Sequence, residues 1–265
     1  MQRYCNVKSE SGKLRGEGGL APKTIKNQHG IIHKALQDTM DQGIITRNPA
    51  TAVKLPKIPQ AIIDLYTEEQ ADTLVAAAKG TDLYVPVLLG LYCGLRRGEI
   101  LGLQWSSINF ENKYIVIRDT MTRANTVVVR RGTKTASSYR MLKMPDVLAE
   151  ALKEQKVWQG QNRKFLGAGY IESDLVCVKS SGKSLSFSIT KRTQTPMKKA
   201  GLPVNTLHNL RHTNATLLQD WGADVCDISK WLGHSTPSTT AKIYIHLNYR
   251  STEKMAELWN AKLKT

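Results

Sequence analysis

The sequence predicts a mainly helical fold with a small antiparallel β-sheet set into it, an α+β arrangement. Two observations carry this. Apolar stripes at helical spacing, bounded by caps and stop residues, recur from Pro22 onward. Near the middle the pattern changes to short β-branched runs, "YIVIRD" and "TVVVRR". They are followed by "GTKTASSYRMLKMP", which turns into another short strand.

The elements follow in order. After a polar, Gly-rich start with no helical pattern, "PKTIKNQHGIIHKALQDTMDQG" opens a helix at Pro22. It carries Ile25, Ile32, Leu36 and Met40 on one stripe and stops at Gly43. "LPKIPQ", with Pro56 and Pro59, reads as an extended linker. The expected organisation is therefore a helical unit at 1–57, a linker at 58–66 and a larger domain at 67–265. In that domain "TEEQADTLVAAAK" opens with Thr67 and Gln70 in capping-box spacing, and "DLYVPVLLGLYCG" is an apolar core helix ending at Gly94. "DLVCV" reads as a further strand. Helices resume through "TQTPMKKAG", "TLHNLRHTNATLLQDWG", "DVCDISKWLG" and "TPSTTAKIYIHL". No internal repeat is visible.

Composition narrows the partners. The 265 residues suffice for a real core, and 38 Lys plus Arg against 22 Asp plus Glu leave a net charge of +16. With a pI near 9.7, nucleic acid or another anionic surface comes first among binding partners. Cys5, Cys93, Cys177 and Cys226 are scattered with no C-x-x-C pair, which argues against a disulfide framework and a cysteine-based zinc site. No apolar run approaches the length of a membrane span, and "MQRYCNVKSESGK" lacks the apolar stretch of a signal peptide. The expectation is a cytoplasmic protein with no membrane association.

Four stretches carry chemistry. In "LHNLRHT" a helix sets His208, Arg211 and His212 on one face at i, i+3 and i+4, which suits either a metal or an anion. A zinc hydrolase of the H-E-x-x-H kind would want Glu where Asn209 stands, and the cationic Arg211 shares the face, so the metal reading is weak. His212 suits a hydrogen-bonded core histidine. In "CGLRRGEILGLQW" Gly94 stops one helix and Glu99 lies in the next, so Arg96 stands near a helix N-terminus, where anions collect. Alternatively Arg96 and Arg97 are a solvated pair with Glu99 as an exposed partner. In "LGHSTPSTTAKIY" a helix of Val225, Ile228 and Leu232 ends, and Gly233 supplies its C′ turn. His234 projects beyond, and a new helix capped by Thr236 and Pro237 carries Tyr244. Lys134 sits where two strands turn.

Together these stretches resemble the tyrosine recombinases, the family that includes phage and conjugative-transposon integrases and type IB topoisomerase relatives. "GLRRGE" looks like the first arginine motif, matching Arg96 to a catalytic arginine and Glu99 to its supporting acid. "TKT" resembles the lysine motif at Lys134. "HNLRHT" is similar to the H-x-L-R-H motif, with His208 and Arg211 as the second catalytic pair. "LGHSTPSTTAKIY" resembles the last motif, with His234 as its histidine and Tyr244 as nucleophile. The resemblance runs from about Pro22 to about Leu247 and is closest in appearance to integrases of conjugative transposons.

The resemblance implies a catalytic domain preceded by a partial, N-terminally truncated core-binding domain, the helical DNA-binding module of the family. It implies site-specific cleavage and rejoining of double-stranded DNA through a 3′-phosphotyrosyl link, for integration or excision of a mobile element. No cofactor and no metal are expected. Arg96 and Arg211 clamp the non-bridging oxygens with help from His234, Tyr244 attacks, His208 assists its proton, and Lys134 protonates the leaving oxygen. The alternatives are a topoisomerase-like relaxing activity and a DNA-binding module that no longer recombines. Met255, Leu258, Trp259 and Leu263 share one face of a C-terminal helix, suited to packing on its own chain or docking on a neighbouring protomer; the resemblance favours the neighbour, with self-association on DNA. An accessory excision protein and a bacterial or phage-encoded, nucleoid-associated setting complete the expectation.

Overall fold

The computed structural model describes residues 1–13, 16–58, 65–121, 127–129 and 139–233, with backbone alone at 127–129. The chain divides into two compact units, Met1–Ile62 and Ile63–Thr265.

The first unit contains α1 (Gln2–Ser11) and α2 (Pro22–Asp41). The α1 helix corrects the reading of a start without helix. It has no apolar stripe to reveal it, and Cys5 is its one buried residue. Polar contacts hold it instead. The Tyr4 hydroxyl donates to Gln28 Oε1 at 3.1 Å, and the Gln2 amide both donates to Lys54 O (3.1 Å) and accepts from the Lys54 N–H (2.8 Å). In α2, Pro22 occupies the first turn and Ile25 is buried as its stripe requires, with Ile32, Leu36 and Met40 half-buried. His29 is buried as well, its Nε2 at 2.9 Å from Ala50 O.

The second unit is built around α4 (Tyr84–Tyr92). Its first helix, α3 (Glu68–Ala78), begins with the expected capping box. The Gln70 N–H donates to Thr67 Oγ1 at 3.3 Å, and the Thr67 N–H to Gln70 Oε1 at 3.1 Å. Helix α4 is apolar all round and is buried from Val85 to Leu91, which makes it a central core helix. It packs on α3, on α5 (Arg97–Gly102), on α6 (Asp146–Leu166) and on α9 (Leu207–Asp220). At Gly90 it faces Leu207 and Leu210 of α9, where a Cβ would make ordinary contact at 3.6–3.7 Å.

The β-structure forms two small antiparallel pieces. Strands β1 (Ile108–Asn109), β2 (Tyr114–Ile117) and β5 (Arg140–Lys143) make one sheet in the order β1-β2-β5, while β3 (Asp119–Met121) pairs with β4 (Val127–Val129). "YIVI" therefore pairs with "RMLK", Ile115 opposite Leu142, and Val127–Val129 pairs with Asp119–Met121, which follow Arg118. Gly98 and Gly102 let α5 lie directly on β3, because a Cβ on Gly102 would stand 2.7 Å from Met121 N. "DLVCV" is not a strand. Leu175 and Val178 make only isolated bridges, to Gln104 and Ser184, with bends at Val176 and Cys177 between them, and Leu175–Val178 are buried. Two short helices, α7 (Ile189–Arg192) and α8 (Gln194–Lys199), lead to α9, and α10 (Val225–Leu232) comes after it. Among the described residues no helix is long and apolar enough to cross a membrane.

One turn joins α4 to α5. Within it Gly94 adopts φ +58, a left-handed conformation, and its ideal Cβ would lie 2.3 Å from Leu232 Cδ2 and 3.0 Å from Asn214 Oδ1. Backbone strain and overlap act together here. Gly94→Ala is expected to cost about 2–4 kcal/mol in urea unfolding; a loss within about 0.5 kcal/mol, the range of ordinary surface changes, would contradict this packing.

Candidate active site

The site grows from the end of one helix. Helix α10 starts at Asp224, whose side chain accepts from the Cys226 N–H at 2.7 Å, and closes at Gly233 in the left-handed conformation, φ +66 and ψ 50. An α-helix leaves its last carbonyls without helical partners and carries a partial negative charge there. Three guanidiniums take up those carbonyls in succession. Arg140 Nε donates to Trp231 O at 2.8 Å, Arg211 Nη2 to Leu232 O at 2.7 Å, and Arg96 Nη2 to Gly233 O at 2.9 Å.

Arg96 is the N-cap residue of α5, as its position after Gly94 suggested. Glu99, one turn on, reaches back to it twice, accepting from the Arg96 N–H at 3.0 Å and from Arg96 Nη1 at 2.9 Å. The reading of Glu99 as an exposed partner is thereby excluded, since it is 2% exposed. Arg140 Nη2 binds Glu99 Oε2, the oxygen that also accepts the Arg96 N–H, at 3.0 Å. Burial pushes the Glu99 carboxyl upward, but Arg140 and then Arg96 overcome it and hold the group at about 2.

Arg211 lies on α9, whose N-cap Thr206 accepts from the Asn209 N–H at 3.2 Å. It is 1% exposed, and its second Nη donates to Gly94 O. Burial, then the charge of Arg96, lower it to about 9, which still leaves it charged at neutral pH. His208 stands exposed on the same helix and His212 half-buried, their rings edge to face with centroids 4.5 Å apart. Partial desolvation of its ring against the protein, then the charges of Arg211 and Arg96, hold His208 below its ordinary value. His212 is pushed to about 4 by burial and by His208. Both rings are therefore mainly uncharged near pH 7. Among the described residues, no three His, Cys, Asp or Glu side chains gather as metal ligands would.

The structure thus brings Arg96, Glu99, His208 and Arg211 together. Lys134, His234 and Tyr244, and the C-terminal stripe from Met255 to Leu263, lie outside the described residues. Sequence reading missed Arg140. The signal was the alternation of "RMLK" on β5, where Arg140 and Leu142 are buried and Met141 and Lys143 exposed. An arginine on the inward face of a strand needs a buried anion, and Glu99 supplies it.

The fold is that of an integrase. Over 91% of this chain and 80% of the other it is similar to the Tn1549 transposon integrase in complex with a circular intermediate DNA, with a TM-score of 0.75 at 22% identity. Sequence comparison goes further. Residues 65–251 match the phage integrase family. A tyrosine recombinase XerC-like protein of Caldanaerobacter subterraneus is 30% identical over 280 residues, covering 98% of this chain and 70% of that protein. An integrase of Streptomyces ambofaciens is 27% identical over 235 residues, covering 85% of this chain and 60% of the relative. The chain belongs to the phage integrase family of tyrosine recombinases. These matches do not favour the topoisomerase-like alternative.

The buried carboxylate makes the site acid-sensitive in a defined window. The Glu99 pKa is depressed from 4.5 to about 2 in the fold, so its contribution is complete above pH 4.5 and is lost as pH falls through about 2. The gap corresponds to roughly 3 kcal/mol. Urea unfolding across this range should show stability falling with pH in the wild type and a flatter acid limb in Glu99→Gln; parallel limbs would show that the carboxylate is not held by the arginines.

Proposed function

We propose that the chain cleaves and rejoins double-stranded DNA at specific sites through a 3′-phosphotyrosyl intermediate, in the integration or excision of a mobile element. The observation that carries this is the convergence of Arg96 and Arg211 on adjacent carbonyls at one helix end. Two guanidinium forks held so close suit the two non-bridging oxygens of one phosphate. Charge developing on those oxygens needs fixed positive partners, and the arginines answer that need without a metal. The Arg96 side chain is 35% exposed and open to a phosphate.

The remaining roles follow from the motif match. Tyr244 attacks phosphorus, and His208, kept mainly uncharged near neutrality, accepts the phenolic proton. His234 directly follows Gly233 in sequence and adds a hydrogen bond to the phosphate, while Lys134 protonates the departing 5′ oxygen. The covalent link keeps the energy of the broken bond, so rejoining asks for no cofactor.

The first unit is read as a DNA-binding module. Its 62 residues carry ten Lys and Arg against four Asp and Glu, a surplus suited to phosphate contacts. The relative in complex with a circular intermediate DNA supports duplex DNA as the partner. Self-association on DNA through the face of Met255, Leu258, Trp259 and Leu263, an accessory excision protein, and a cytoplasmic, nucleoid-bound setting belong to the same reading.

The test is covalent trapping on a nicked suicide duplex, which loses its leaving strand after cleavage. The wild type is expected to accumulate a protein–DNA adduct, and Tyr244→Phe to form none while binding DNA within about threefold of wild type, since one hydroxyl adds little to groove and phosphate contacts. An adduct formed by Tyr244→Phe would overturn the assignment of the nucleophile.

A further inference from the structure

Arg140 belongs to none of the motifs, yet it touches both structures that hold Arg96. Arg96 is fixed at two points, the Glu99 carboxylate and the Gly233 carbonyl. Arg140 binds the same carboxylate and the same helix end. Its Nη2 binds the Glu99 oxygen that also accepts the Arg96 N–H, and its Nε binds Trp231 O, two residues before Gly233 on the same helix end. The carbonyl between them, of Leu232, holds Arg211. Arg140 is 8% exposed on the inward face of β5, so it is turned to the protein and not toward a substrate.

We propose that Arg140 is a positioning residue for phosphoryl transfer: by clamping Glu99 to the end of α10 it sets the spacing and direction of the Arg96 and Arg211 guanidiniums. The inference rests on the proposed function. A lone ion pair would explain one contact with Glu99. A planar fork with separate Nε and Nη donors explains why two elements, α5 and α10, are held at once, a task that the single ammonium of lysine cannot perform in the same geometry. The groups facing Glu99 are Arg96 from α5, Arg140 from β5 and Arg211 from α9. Removing Arg140 leaves the carboxylate free to turn toward Arg96 alone, and leaves Trp231 O without its donor.

Single-turnover cleavage of the suicide duplex at saturating DNA separates positioning from mere folding. A positioning defect lowers the rate constant and leaves the final amplitude full; loss of folded molecules lowers the amplitude and leaves the rate constant alone. For Arg140→Gln the expected result is a rate constant lower by about 10²-fold, the usual worth of one well-aimed charged donor, at full amplitude and with DNA affinity within about threefold. Should that variant not fold, Arg140→Lys decides: it keeps a charge against Glu99 and is expected to lose about tenfold in rate constant at full amplitude.

A second substrate, with sulfur at the 5′-bridging position of the cleaved bond, needs little acid catalysis. Lys134→Ala should recover on it, whereas the Arg140 variants should stay as slow as before. Wild-type rate constants in both Arg140 variants, a fall in amplitude alone, or recovery on the sulfur substrate would overturn the assignment of Arg140. Absence of any adduct with the wild type would instead bring down the recombinase reading, and this inference with it.

Discussion

Three arginine side chains in one small volume repel one another, and one carboxylate does not balance them. The end of α10 supplies the rest. Among the described residues its last three carbonyls have no helical partner, and each receives one guanidinium, from Arg140, Arg211 and Arg96 in order. The helix end therefore acts as a template that fixes the spacing of positive charge, with Glu99 as the counter-ion of Arg96 and Arg140. This helix end is itself held against the turn at Gly94.

The core does that holding. The buried α4 runs directly into Gly94, and the Gly94 carbonyl accepts from Arg211 while its missing side chain leaves room for Leu232 at the end of α10. The α5 helix starts three residues later, and its glycines let it press on β3. Four separate elements, α5, β5, α9 and α10, thus meet within the reach of a few side chains. None could bring the charges together by itself. A buried ionic cluster of this kind contributes little net stability compared with an apolar core, so the physical case for it is geometric.

Much of this was legible in the sequence. The capping box at Thr67 and Gln70, the apolar helix up to Gly94 and the C′ glycine at position 233 were all readable from local patterns, because each depends on neighbours a few residues away. Arg96, Glu99 and Arg211 were legible through motif resemblance, although nothing in the sequence said that Glu99 would be buried. Arg140 was hidden, because its partners lie 41 and 91 residues away and no motif points to it. The α1 helix was hidden for a different reason: it is held by Gln2 and Tyr4 through polar contacts and offers no apolar periodicity to read. "DLVCV" has the composition of a strand, but its backbone finds partners in Leu103 and Trp105 without a regular ladder.

The central claim is that the guanidiniums on the α10 end answer the charge of the scissile phosphate. It is tested most directly by removing that charge from the DNA. A suicide duplex with a neutral methylphosphonate at the cleaved position has one non-bridging oxygen fewer to neutralise. If the claim holds, Arg96→Ala slows cleavage of the ordinary phosphate by about 10²–10³-fold, the range seen for loss of one charge-stabilising donor, and slows the methylphosphonate far less. An equal loss on both substrates would contradict it, and would leave Arg96 as a structural residue of the helix end.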